Sequence, residues 1–206
     1  MALPAIIVSG FGRCGSSLTM QMLAAGGVPC VGEWPAYEDQ RSSPLNLDIE
    51  WLGALNDCAV KLLDPHVAPR LPKIAAVIWL DRDPAQQAAS ALKFMAAMCS
   101  GIDQGRQARR AMAASYRADR AAAHAALGIG ATPPAVDALK ITFEFMIARP
   151  MEAASAITRF VERLGYQVDI DAMASVVVRR TTRCLPYMLE EQLLRSRANA
   201  QMKVVR

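Results

Sequence analysis

Residues Ala5 to Ala25 read AIIVSGFGRCGSSLTMQMLAA, and this stretch constrains the fold more than any other. Ala5-Ile6-Ile7-Val8 is an apolar run that predicts a buried strand. A tight loop follows, Ser9-Gly10-Phe11-Gly12-Arg13-Cys14-Gly15-Ser16-Ser17, after which Leu18, Met22 and Leu23 recur at helical spacing. A strand that feeds a glycine-rich turn and opens a helix can hold an anion: the turn points N–H groups at it, and the helix N-terminus adds partial positive charge. From Gly10 the spacing is G-x-x-x-x-G-S-S. A triphosphate loop carries lysine just before the hydroxyl residue, to reach the β- and γ-phosphates. Here Ser16 stands in that place and the cation lies inside the loop, at Arg13. The loop suits an anion and is poorly equipped for a triphosphate. A plain strand-to-helix turn would need only the glycines; Arg13, Ser16 and Ser17 join them at ligand-facing offsets.

The chain of 206 residues is 53% hydrophobic and 20% charged, which predicts one globular domain over 1–206 with a substantial core. No apolar run approaches the ~20 residues that span a bilayer. The start, MALPAIIVSG, has no basic segment ahead of its apolar run and reads as no signal peptide. Cys14, Cys30, Cys58, Cys99 and Cys184 are odd in number and scattered, which predicts a reduced, cytoplasmic protein without a structural zinc site. With only His66 and His124, a multi-histidine metal centre is not expected. The net charge of +4 is spread out and suits a small anionic ligand better than a nucleic acid, which would want a dense basic face.

Further along, Val28 to Val31 predicts a short second strand, Pro35 to Asn46 a polar surface loop, and Leu47 to Asn56 a short helix. Ala59 to Leu63 and Ile74 to Leu80 read as buried strands. Pro84 is placed to open a helix towards Cys99, and Gln107 to Leu127 reads as a long Ala- and Arg-rich helix whose arginines form a solvated face. Ala138 to Thr142 predicts another strand, followed by Phe143-Glu144-Phe145-Met146, and Pro150 opens a helix to Leu164. From about residue 170 the chain reads as a helical part, with a polar helix from Pro186. Strands alternating with helices predict an α/β fold: a three-layer sandwich with a central parallel β-sheet and a P-loop-like strand–loop–helix at its N-terminus. Ligands then sit at the carboxyl ends of the strands.

A second anion site is written in Trp79-Leu80-Asp81-Arg82-Asp83-Pro84, with Ser90 eight residues after Arg82. Arg82 ends a buried strand on the same edge as the first loop, and Ser90 lies about two turns into the next helix. With these residues the sequence resembles the superfamily of sulfotransferases that use 3′-phosphoadenosine 5′-phosphosulfate (PAPS). The family cradles the 5′-phosphosulfate with x-[RK]-S-G-[ST]-[ST], which Arg13-Cys14-Gly15-Ser16-Ser17 matches except for Cys14. Its R-[DN]-P motif with a serine eight residues on, which binds the 3′-phosphate, is matched by Arg82-Asp83-Pro84 and Ser90. Lys140 to Pro150 is similar to the family's V-R-Y-E-D-L-x-x-x-P stretch, with Phe145 in place of the acid, and Lys61 to Pro65 is similar to a K-x-P segment of bacterial members. The resemblance implies a metal-independent transferase that moves a sulfuryl group from PAPS to a hydroxyl or amine of a small-molecule or glycan acceptor.

For catalysis the resemblance implies cations on the phosphosulfate, for which Arg13 and Lys61 are candidates; Lys61 also reads as a surface lysine beside a strand end. Three residues compete as base: Glu33, placed as in some bacterial members; His66, three residues out of register with the histidine of cytosolic members; and Asp64 between them. Arg179, Arg180 and Arg183 are candidates for a late contact to the 3′-phosphate, or a solvated basic turn, since the family's R-K-G form is absent. Trp34, Trp51 and Phe94 line either an acceptor pocket or the core. Two other readings stand: a P-loop kinase or nucleotide hydrolase using ATP–Mg²⁺ with Asp81 as metal ligand, and a non-catalytic protein that binds PAPS or its bisphosphate product.

Overall fold

A computed structural model describes residues 2–68, 71–133 and 135–184. Four strands, β1 (Ile6–Gly10), β2 (Ala59–Leu63), β3 (Ala76–Asp81) and β4 (Asp137–Thr142), form one parallel sheet in the order β2-β1-β3-β4. Seven α-helices flank them among the described residues: α1 (Ser16–Ala25), α2 (Ile49–Ala54), α3 (Pro84–Met98), α4 (Arg106–Ala126), α5 (Phe143–Ala148), α6 (Pro150–Arg163) and α7 (Ile170–Ser175).

The period of two in the strands sorts their side chains into two cores. Ile6, Val8, Ile78 and Leu80 face α1, α6 and α7, where Met22, Leu23, Ile157, Phe160 and Met173 cover them. Ile7, Val60, Leu62, Val77 and Trp79 face the other way, towards Leu52 of α2 and Tyr116 and Ala123 of α4. Both faces of β1 and β3 are buried, so these strands read as continuous apolar runs, while the edge strand β4 is more exposed, and the expected three layers are present. The chain leaves β1 for β2 on one side and later reaches β3 on the other. Reversing direction in a right-handed crossover switches the covering helix to the opposite face, which is why α1 and α4 lie on different sides.

One local expectation changes, and one stretch left open takes its form. Val28 to Val31 forms an isolated bridge, Cys30 to Ala59, not a strand. The Val31 N–H donates to the Ala59 carbonyl and the Ala59 N–H to the Pro29 carbonyl, each at 2.8 Å. Pairing stops there because Pro29 has no N–H to give and Gly32 turns the chain at φ 86°. The stretch after β4 is a helix, α5, capped by Thr142, whose hydroxyl accepts from the Phe145 N–H at 3.2 Å. The helix expected from Pro186 lies outside the described residues. Among those residues, no helix is long and apolar enough to cross a membrane.

Candidate functional site

The strand order places the reversal of chain direction between β1 and β3, where an open α/β sheet leaves a crevice beyond its carboxyl ends. The loop after β1 and Arg82 after β3 both lie there. Gly10 begins the loop in contact with its neighbours: a Cβ on it would stand 2.6 Å from the Leu80 carbonyl oxygen and 2.8 Å from the Cys14 sulfur. Arg13 then takes a left-handed conformation, φ 67°, and Gly15 another, φ 102°. Gly15 is the cap residue of α1 and has no side chain to cover the first-turn N–H groups of that helix.

Cys14 packs beneath the loop, fully buried, and does not line the cleft. Burial pushes its thiol up to about 12, so Cys14, which its place in the motif implies as a cofactor-binding residue, is a neutral packing group. Ser16 and Ser17 do line the cleft. Lys61 reaches the loop from β2 and is 4% exposed, which removes the reading of a surface lysine. Its Nζ donates to Ser17 Oγ at 3.2 Å and to Glu38 Oε1 at 2.9 Å. Burial lowers the pKa of Lys61, and the Glu38 carboxylate offsets part of that.

The two sequence motifs interlock. Arg13 Nε donates to Ser90 Oγ at 3.4 Å, and the Arg13 guanidinium lies 4.9 Å from the centre of the Phe94 ring. Arg82 is buried and its Nη1 donates to the Arg13 carbonyl at 2.9 Å, while Nη2 points at the Thr182 carbonyl at 3.5 Å. Arg82 and Arg180 share the ring of Phe143, at 4.3 and 5.4 Å from its centre. Arg13, Ser16, Ser17, Lys61, Arg82 and Arg180 thus line one cleft of about 530 Å³. Its other wall is apolar, with Leu18, Phe94, Met98, Ile147, Val176 and Val178.

Other expected residues lie elsewhere. His66 is on the α4 side of the sheet: its ring meets Phe11 edge-on at 5.4 Å, and its Nε2 is 3.9 Å from Asp119. Glu33 is exposed in a shallow groove with Trp34, Asp39 and Arg41, beside the cleft and outside it, because the chain turns at Gly32 before reaching it. Asp64 sits behind the loop and accepts from the Gly12 N–H at 3.4 Å, with its pKa raised by burial. Arg179 is exposed and outside the cleft wall, as is Arg183. Ser90 is fully buried behind Arg13 and does not line the cleft. Asp81 is turned to the α4 face by strand alternation and pairs with Arg120 at 3.1 Å, so it does not face the loop after β1. Trp51 lies under Arg41, at 4.1 Å.

Three residues of the site escaped sequence reasoning: Glu38, Gln87 and Phe143. Glu38 is one acid among several in an irregular loop, and no periodicity marks it as the one that turns inward. Gln87 falls inside the second motif, between Pro84 and Ser90, at a position that the motif leaves unspecified. Phe143 is the residue after Thr142, which ends β4 and caps α5, and its aromatic side chain suits either a strand or a helix start.

No protein-family model matches this chain, and no curated protein matches it in sequence. Among solved structures it is similar to a retinol dehydratase in complex with androsterone and inactive cofactor PAP, with a TM-score of 0.42 and 13% sequence identity. The likeness covers 84% of this chain and 62% of that one, so the chain spans less than two thirds of that protein's length.

Proposed function

We propose that the cleft binds PAPS and that the protein transfers its sulfuryl group to a hydroxyl or amine of a small-molecule or glycan acceptor. The observation that carries this reading is the convergence of Arg13 and Arg82, from the ends of two adjacent strands, on a single cleft. PAPS carries a phosphosulfate and a separate 3′-phosphate on one adenosine, and two cationic clamps match two anions. The residues fit such a molecule. Two strand-end arginines, a buried lysine on a loop serine and an uncapped helix start face a volume within the range of small-molecule pockets. The apolar wall has room for a base and for an apolar part of the acceptor.

PAPS supplies an activated sulfur–oxygen bond. Arg13 and Lys61 would neutralise the charge that grows on the departing phosphate oxygen as that bond breaks and the bond from acceptor to sulfur forms. Glu38 is the carboxylate that lines the cleft, and its side chain is 70% exposed, so an acceptor can reach it. It would take the acceptor's proton, while Lys61 fixes its orientation at 2.9 Å. Arg82, with Arg180 stacked on the same ring, would hold the 3′-phosphate.

Calorimetry of adenosine 3′,5′-bisphosphate without added metal, beside ATP–Mg²⁺, tests the binding half. The bisphosphate should bind and ATP–Mg²⁺ should not; the reverse result overturns the reading. Transfer of labelled sulfuryl from PAPS to a panel of phenols, sugars and amines tests the catalytic half, and bisphosphate binding without any transfer would leave a non-catalytic binder.

A further inference from the structure

The backbone of Gly12 is held on both sides from behind the loop, through its N–H and its carbonyl. Its N–H donates to Asp64 Oδ1 at 3.4 Å, and its carbonyl accepts from Gln87 Nε2 at 2.9 Å. The same Gln87 nitrogen donates to the Phe11 carbonyl at 3.1 Å, and the Asp64 N–H donates to the Gly10 carbonyl at 3.0 Å. Three successive carbonyls are therefore engaged by α3 and by the residue following β2. Neither Gln87 nor Asp64 lines the cleft.

Both residues are unusual for where they sit. Gln87 is 3% exposed in the first turns of α3, a position where an apolar side chain would pack at lower desolvation cost. Asp64 is in a left-handed conformation, φ 49°, with its carboxylate mostly withdrawn from water. Each keeps its polar group in contact with the loop backbone. A carbonyl oxygen turned towards a bound anion would repel it, whereas N–H groups attract it. An anion loop works best when its carbonyls are already drawn off before the ligand arrives.

We propose that Gln87 and Asp64 are positioning residues that preset the left-handed turn at Arg13: the Gln87 side chain draws the Phe11 and Gly12 carbonyls away from the ligand, and the Asp64 carboxylate fixes the Gly12 N–H while its own backbone N–H holds the Gly10 carbonyl. This rests on the reading of the loop as an anion site. The brace acts through hydrogen bonds, so the Asp64 charge is dispensable and its acceptor oxygen is not. Gln87 acts through its N–H₂ group, so a residue of like shape without a donor does not replace it.

The test uses the full chain with Gln87→Met, Gln87→Glu, Asp64→Asn and Asp64→Ala, read by amide hydrogen exchange without ligand and by calorimetry with adenosine 3′,5′-bisphosphate. Gln87→Met loses both side-chain hydrogen bonds to the loop and should speed exchange over residues 10–17 and weaken the bisphosphate by about tenfold or more, with exchange in β1 residues 6–9 and β3 unchanged. Gln87→Glu should lose more, since its carboxylate faces two carbonyls. Asp64→Ala should resemble Gln87→Met, and Asp64→Asn should restore the unaltered behaviour. Unchanged loop exchange in Gln87→Met, or Asp64→Asn as damaging as Asp64→Ala, overturns the brace. Should Gln87→Met fail to fold, the Asp64 pair decides alone. Should the unaltered protein not bind the bisphosphate, the proposed function falls, and exchange still decides whether the brace exists.

Discussion

Lys61 carries its charge where water is nearly absent. Burial lowers its pKa below the 10.5 of a free lysine, with Glu38 opposing the shift. Between the lowered value and 10.5 the unfolded chain binds more proton than the folded one, so folding stability rises as pH rises through that interval. Lys61→Met should remove this rise, as read by urea midpoints collected from pH 7 to 10.5. A bound anion favours the charged form of Lys61 and should flatten the slope in the unaltered protein. Arg82 is argued differently, because two of its donors already serve the Arg13 and Thr182 carbonyls. Arg82→Ala should weaken adenosine 5′-phosphate somewhat, through the loop. Adenosine 3′,5′-bisphosphate should lose a further ~1.5–3 kcal/mol, the scale of a hydrogen bond to a charged group. Equal losses in calorimetry would make Arg82 a brace and not a 3′-phosphate ligand. Type and spacing picked out Arg13, Ser16, Ser17 and Arg82, which line the cleft, but could not show that Cys14 and Ser90 of the same motifs are buried behind it. Glu38 was not, because an inward turn of an irregular loop leaves no mark in composition.

At the scale of elements, the loop and α1 depend on one glycine. Gly15 has φ 102°, and a Cβ there would stand 2.8 Å from Cδ2 of Phe143, the ring on which Arg82 and Arg180 stack. Gly27, at the far end of α1, has φ 96° with nothing within 4 Å of a Cβ. Gly27→Ala should therefore cost about 1 kcal/mol, the left-handed strain alone. Gly15→Ala should cost about 2 kcal/mol or more and also weaken the bisphosphate, because the ring must move. Thermal unfolding and calorimetry on the pair separate strain from displacement; equal behaviour would detach Phe143 from the site. Elements with a continuous apolar run were readable, since both sheet faces are covered and no alternation obscures β1, β2 or β3. Val28 to Val31 misled because four apolar or small residues resemble a strand, while Pro29 withholds one of the N–H groups a ladder needs. The start of α5 was obscured by aromatic residues suited to either helix or strand, although Thr142 supplies its cap.

Over the whole molecule, the alternation of strands and helices predicted a parallel sheet but not its order, which is a long-range property. The order β2-β1-β3-β4 is what brings residues 10–17 and Arg82 to one crevice. It also ties the loop unequally to the two cores. Phe11, the loop's aromatic residue, is 3% exposed and enters the α4-side core. There it meets Trp79 edge-on at 5.7 Å and stacks on Tyr116 at 5.4 Å. Phe160 is equally buried in the core of the opposite face, without a contact to the loop through an aromatic partner. Trp79→Leu and Phe160→Leu should both lower stability by about 2 kcal/mol, through lost contacts and a partly filled cavity. Only Trp79→Leu withdraws a support of Phe11, so only it should speed amide exchange over residues 10–17 and weaken the bisphosphate. The comparison is made at matched distance below each variant's urea midpoint, which removes global unfolding as the cause. Equal loop exchange in the two variants would mean that the anion loop is held by its own hydrogen bonds, Gln87 and Asp64 among them, and that Phe11 follows the loop instead of anchoring it.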